Sequence, residues 1–169
     1  MDGLEEARSL VSQQRYKDAA ASIDRLLMDN PDEPELWYLR GVISLKSRNY
    51  DAAQECFERA LLLGKKSKYY QVKGMAHFEL FEIDEAVAAF GEALAIEPND
   101  ATTNFFLSIC YMLKDDPRAE DFIKKARAAD QKKTAQLLLN FYTLFIKDDP
   151  KVGAPAKAKM EQKLKKLRL

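Results

Sequence analysis

Apolar positions along this chain come in a pattern that returns about every 33 residues. Around Phe90, Ala86 lies four residues before and Ala93 three after; the same arrangement stands at Ala53, Phe57 and Ala60. It recurs at Ala19, Ile23 and Leu26, and at Ala119, Ile123 and Ala126, with steps of 34, 33 and 33 between the central residues. A second pattern runs upstream of each. Ala7, Gly41, Gly74 and Ser108 are followed three residues later by Leu10, Ser44, His77 and Tyr111. Residues at i, i+4 and i+7 share one face of a helix, so each unit predicts two amphipathic helices. Small residues on one face let an antiparallel partner approach closely, and the large central residue fills the gap to a neighbour. Pro31 and Pro98 each end a helix, because proline cannot continue the backbone ladder. The turn Lys-Asp-Asp-Pro at 114–117 returns at 147–150.

The pattern then fades. Residues 134–147 predict a fifth first helix, with Leu137, Phe141 and Leu144 on one face. Its expected partner is interrupted by Gly153 and Pro155. A basic helix follows from 155 to 169, with Met160, Leu164 and Leu167 at i, i+4 and i+7. The end of a helical stack needs a polar outer face, so a capping role is expected for this segment; a partner-binding tail is the alternative.

The repeating positions resemble those of the tetratricopeptide repeat family. Unit 67–100 carries Tyr70, Gly74, Ala86, Phe90, Ala93 and Pro98 at the family's signature places. Unit 34–66 carries Trp37, Gly41, Tyr50, Ala53, Phe57 and Ala60, with Lys65 in place of the closing proline. Unit 1–33 matches at Ala7, Leu10, Tyr16, Ala19 and Pro31, and unit 101–133 has one residue fewer in its inner turn. The resemblance implies an all-α, right-handed superhelical solenoid of antiparallel helix pairs, with about four repeats plus C-terminal capping helices. The array is expected to span 1–147, followed by an interrupted segment and basic helix over 148–169.

The resemblance also implies a protein–protein interaction scaffold whose first helices line a concave groove. The residues at the groove positions are Leu4, Arg8, Tyr38, Val42, Leu45, Lys68, Gln71, Met75, Phe78, Phe105, Ile109 and Met112, with Leu138, Tyr142 and Phe145 continuing the series. Most are apolar, more so than stacking requires, and methionines and aromatics suit an adaptable interface. An apolar peptide or helix of another protein is the expected partner, and a second copy of this chain is an alternative. Some family members clamp a partner's terminal carboxylate with Lys and Asn side chains. At the matching places this chain has Leu4, Arg8, Leu39, Lys68 and Val72, of which only Lys68 conforms, so a chaperone tail held in that way is not expected.

Charge refines this picture. The 169 residues balance to zero, yet residues 1–100 hold 12 Lys+Arg against 19 Asp+Glu, and residues 101–169 hold 15 against 8. The last 19 residues hold 7 against 1. Such a basic tail raises an anionic surface as an alternative partner. It is short, lacks an aromatic, and follows an acidic body, so neither nucleic acid nor membrane is expected. No apolar run approaches the length of a membrane span, and the acidic start Met-Asp-Gly-Leu-Glu-Glu does not read as a signal peptide. Cys56 and Cys110 stand far apart with no paired motif, which predicts a reducing, cytoplasmic setting.

No constellation for chemistry stands out. His77, the sole histidine, occupies the large-residue position of a first helix and is expected to pack there. No further His or Cys stands at metal-ligand spacing, and neither a nucleophile elbow nor a phosphate-binding glycine loop is present. The pairs Asp115-Asp116 and Asp148-Asp149 precede prolines at predicted helix starts, where negative charge suits the helix dipole. Neither a cofactor nor a catalytic activity is expected.

Overall fold

The computed structural model describes residues 2–151 and 153–167, apart from the side chains of Asp2, Ala156, Lys159 and residues 163–167. Among the described residues ten α-helices follow one another: α1 (Asp2–Ser12), α2 (Tyr16–Asp29), α3 (Pro34–Lys46), α4 (Tyr50–Leu63), α5 (Ser67–Glu79), α6 (Ile83–Ile96), α7 (Ala101–Leu113), α8 (Arg118–Ala129), α9 (Gln131–Phe141) and α10 (Ala154–Leu167). A π-type turn, Tyr142–Ile146, extends α9. No strand occurs among the described residues. The chain forms two compact units, one carrying α1–α6 and one beginning at Glu97.

In the first unit the helices pair as α1 with α2, α3 with α4, and α5 with α6. The pairing follows from the small residues. A Cβ on Gly41 would run into the ring of Phe57, and one on Gly74 would lie 2.7 Å from the ring of Phe90. Each glycine therefore seats the aromatic of the partner helix against bare backbone. Ala53, Phe57, Ala60, Ala86, Phe90 and Ala93 are fully buried. Ala7, Leu10, Ala19 and Ile23 join Leu36, Leu39 and Ile43 in one core; Leu45, Ala53, Phe57 and Ala76 form another. Burying each large side chain among these is worth about 1.5–3 kcal/mol, so packing rather than local propensity holds the pairs.

The inner turns repeat as closely as the helices. Gln14, Arg48, Phe81 and Asp115 all adopt left-handed backbone, with φ of 59°, 58°, 61° and 53°. In each case the next residue's N–H reaches back five residues: Arg15 to Leu10, Asn49 to Ser44, Glu82 to His77 and Asp116 to Tyr111, at 2.9–3.0 Å. This six-to-one bond closes the helix end and turns the chain into its partner. The connections between pairs are tied by first-helix side chains. Trp37 Nε1 donates to the Pro31 carbonyl at 2.7 Å, and in the second unit Asn104 Nδ2 donates to the Pro98 carbonyl at 3.0 Å.

In the second unit α7 pairs with α8 and also packs on α9. Ala126 is fully buried, but Ala119 and Ile123 are only half-buried, a looser version of the pattern seen at Ala86 and Phe90. The fifth first helix starts at Gln131, three residues earlier than the apolar pattern alone predicts. Asp130 sets that start: its carboxylate accepts from the Lys133 N–H at 2.8 Å, and its carbonyl accepts from the Thr134 hydroxyl. The basic helix α10 packs on α9, where the Tyr142 hydroxyl donates to Glu161 at 2.8 Å. Met160 is part exposed, and the expected apolar partners Leu164 and Leu167 have side chains outside the described residues.

Candidate functional site

Three first helices of the first unit, α1, α3 and α5, present the residues that the sequence pattern assigns to the groove. They divide into a charged end and an apolar end. The charged end centres on Glu35, in the first turn of α3 just after the N-cap Glu33. Its side chain is 12% exposed. Arg8, from α1, donates to Glu35 Oε1 at 3.0 Å. Lys68, in the first turn of α5, donates to both carboxylate oxygens at 2.7 and 2.6 Å. The Tyr69 hydroxyl donates to Oε2 at 3.1 Å. Tyr38 and Tyr69 lie with ring centroids 5.2 Å apart, and the Lys68 ammonium sits 4.7 Å from the Tyr38 ring centre, a favourable place for a cation.

Titration follows this geometry. Burial by itself pushes the Glu35 carboxyl up, but the hydrogen bond and charge of Lys68, with help from Tyr69 and Lys66, outweigh it and hold Glu35 below its ordinary value. Burial drives the Tyr69 phenol far up, reinforced by the charge of Glu35 and the hydrogen bond to it. The Tyr38 phenol is raised by the same two influences, burial first and Glu35 second.

The apolar end runs along α3 and α5. Tyr38 and Val42 on α3, and Gln71, Met75 and Phe78 on α5, are all half-buried, so each keeps part of its surface open. Val42 and Val72 pack on the cluster formed by Leu45, Ala53, Phe57 and Ala76.

Three of the expected groove residues lie elsewhere. Leu45, Phe105 and Ile109 are buried, at 6%, 1% and 4% exposure, and belong to the interior. Leu45 is buried in one cluster with Ala53, Phe57 and Ala76, with Val42, Tyr50 and Val72 packed against it. Phe105 is enclosed by two other aromatics, Phe106 at 5.4 Å and Phe141 of α9 at 6.4 Å, both edge-on. Ile109 lies on α7, which α8 and α9 both cover. In the second unit Met112 remains 48% exposed, Leu138 is half-buried, Tyr142 is buried and Phe145 is 53% exposed.

Two residues of the charged end, Glu35 and Tyr69, went unassigned by the apolar pattern. A signal for Glu35 was present: Glu35 and Lys68 hold the same place in successive units with opposite charge.

Elsewhere the reactive side chains are committed to structure. His77, with its side chain 12% exposed, places Nδ1 2.6 Å from Glu82 and 3.4 Å from the amide of Gln54. Cys56 and Cys110 are free thiols, both buried. Burial raises the Cys56 thiol and pushes Cys110 up to about 12, so neither is a thiolate at neutral pH. Among the described residues there is no group of three or more His, Cys, Asp or Glu side chains placed to hold a metal, and no helix long and apolar enough to cross a membrane.

Family models described as tetratricopeptide repeat match residues 4–69 and 67–100. A curated relative, the cell division cycle protein 27 homolog of Caenorhabditis elegans, is 29% identical over 91 residues, covering 53% of this chain and 12% of its own length. The chain thus spans only a small part of that protein. Among solved structures, a MamA RS-1 double mutant superposes with TM-score 0.72 at 19% identity, covering 99% of this chain and 95% of that one. YrrB, described as a TPR protein with an unusual peptide-binding site, gives 0.66 at 19% identity over 99% and 86%. The first TPR of Spaghetti (RPAP3), bound to the HSP90 peptide SRMEEVD, gives 0.64 at 21% identity over 68% and 91%. These likenesses establish the fold, an all-α solenoid of paired helices.

Proposed function

The chain belongs to the tetratricopeptide repeat family, and on that premise we propose that it is a protein-interaction scaffold whose first-helix face on α3 and α5 binds an apolar peptide or helix of another protein. One observation carries this reading. Tyr38, Val42, Met75 and Phe78 stand on two adjacent first helices and keep open surface, although the pairing of α3 with α4 and of α5 with α6 is already served by Gly41, Gly74 and the aromatics they seat. Each of these side chains is already half-buried, so covering the remainder adds about 1 kcal/mol, and several anchors together outweigh a moderate ordering cost. Peptide binding by YrrB and by the first TPR of Spaghetti lends support from the same fold. In this reading the protein contributes no chemical step of its own, and its two unpaired buried thiols fit the cytoplasm.

Phage display of random peptides against the purified protein tests the proposal. Selected sequences should be rich in Leu, Phe and Trp, bind with little dependence on salt, and lose affinity for a folded Met75→Gln, Phe78→Gln double variant. Undiminished binding to that variant refutes the groove. Binding that vanishes at high salt or on removing residues 155–169 assigns recognition to the basic tail. A concentration-dependent increase in mass that the double variant abolishes makes the partner another copy of the chain.

A further inference from the structure

At the charged end of the same face, the anion is one the chain supplies itself. Two cations and a hydroxyl from two other helices, Arg8, Lys68 and Tyr69, converge on the carboxylate of Glu35. This is the donor set that would receive a carboxylate from outside. We infer that Glu35 determines specificity: it fills the anion position of the face from within, so the face turns away segments that end in a free carboxylate and accepts uncharged apolar ones. The inference rests on the reading that this face binds a protein segment.

The energetics favour the internal carboxylate. Glu35 is fixed on a packed helix beside its donors, so its effective concentration there exceeds that of any dissolved peptide. A competing carboxylate would have to strip Glu35 of its partners while Glu35 stays largely shielded, at 12% exposure, and would meet its charge at close range. The surrounding cations leave little surplus. Arg8 is also paired with Glu5 at 3.4 Å, and Lys68 is held between the carboxylate and the Tyr38 ring. Because its carboxyl is held below the ordinary value, Glu35 remains charged in mildly acidic solution as well.

The experiment compares the peptide SRMEEVD as free acid and as C-terminal amide, by fluorescence polarisation, on four proteins: wild type, Glu35→Gln, Glu35→Ala, and Glu35→Ala with Lys68→Ala. Wild type should bind the two forms equally or not at all, a result that depends on no variant. The two single variants, shown folded by circular dichroism, should prefer the free acid about tenfold, the discrimination expected of one charge-assisted hydrogen bond. The double variant should lose that preference. A free-acid preference in wild type, its absence in both folded single variants, or its survival without Lys68 would each overturn the inference. Apolar peptides from the display selection are measured on the same proteins. If they bind while the Glu35 variants gain nothing, this inference fails alone; if the variants gain the free acid but no apolar peptide binds, the groove reading fails instead.

Discussion

Gly74 and Gly91 allow one steric argument to be tested against its own control. Both lie in helices of the first unit, Gly74 in α5 and Gly91 in α6, and neither has positive φ. Replacing either by alanine removes backbone freedom from the unfolded chain and gains about 1 kcal/mol of helix propensity. The surroundings differ. A methyl at Gly91 meets nothing within 4 Å, whereas one at Gly74 stands 2.7 Å from two ring atoms of Phe90 and 3.0 Å from a third. Phe90 is fully buried, so its ring cannot swing into solvent to make way. Relieving that overlap costs about 1–3 kcal/mol. Gly91→Ala should therefore stabilise by about 1 kcal/mol, while Gly74→Ala should range from neutral to about 2 kcal/mol destabilising. Urea and thermal unfolding followed by circular dichroism read the difference, each kcal/mol moving the thermal midpoint by about 2–4 °C in a chain of this size. Trimming the ring should relieve the clash, so Gly74→Ala should cost less in a Phe90→Leu background than in wild type. Equal shifts for Gly74→Ala and Gly91→Ala would show that the glycine does not seat the aromatic, and the argument for helix pairing would fall with it.

Phe81 is 74% exposed and left-handed, a conformation that costs a non-glycine residue about 1–2 kcal/mol, so Phe81→Gly should raise the urea midpoint by a corresponding amount. Phe105→Ala, at a fully enclosed ring, should cost about 3–5 kcal/mol, seen as a lowered unfolding midpoint, whereas Met75→Gln with Phe78→Gln should leave helicity intact. Acid should weaken the first unit through Glu35. Its carboxyl is lower in the folded protein than the usual 4.5, so the unfolded chain binds the proton more readily, and the stabilisation present above that value is lost as pH falls through the folded pKa. Glu35→Gln should flatten that part of the profile in urea titrations taken between about pH 3 and pH 7, and an unchanged acid limb would show that the cluster does not couple to folding.

The paired helices were legible in the sequence because their determinant is local and steric. Wherever a glycine or alanine returns at the spacing of Gly41 and Gly74, an aromatic about 16 residues later has a bare surface to rest on, as Phe57 and Phe90 do. The exposure of the groove was less legible, because it depends on what the next first helix brings. The same face position holds a half-buried Tyr38, a half-buried Gln71 and a buried Phe105, and Phe105 has Phe106 and, from the next first helix, Phe141 beside it. The Glu35 cluster joins residues 27, 33 and 34 positions apart, a polar register that an apolar pattern does not carry. The early start of α9 was set by a single cap, Asp130, outside the apolar stripe.

The four left-handed turns have a consequence for how such a chain can change over evolution. Gln14, Arg48, Phe81 and Asp115 share one backbone geometry but are an amide, a cation, an aromatic and an acid. The turn is closed by main-chain bonds, Asn49 to Ser44 and its three counterparts, so the identity of the left-handed residue carries almost no instruction about the path of the chain. Form and display are thereby written in separate alphabets. Mutation can rewrite the chemistry shown at any of these four corners at the cost of about 1–2 kcal/mol relative to glycine, while the scaffold that holds the corner in place stays the same.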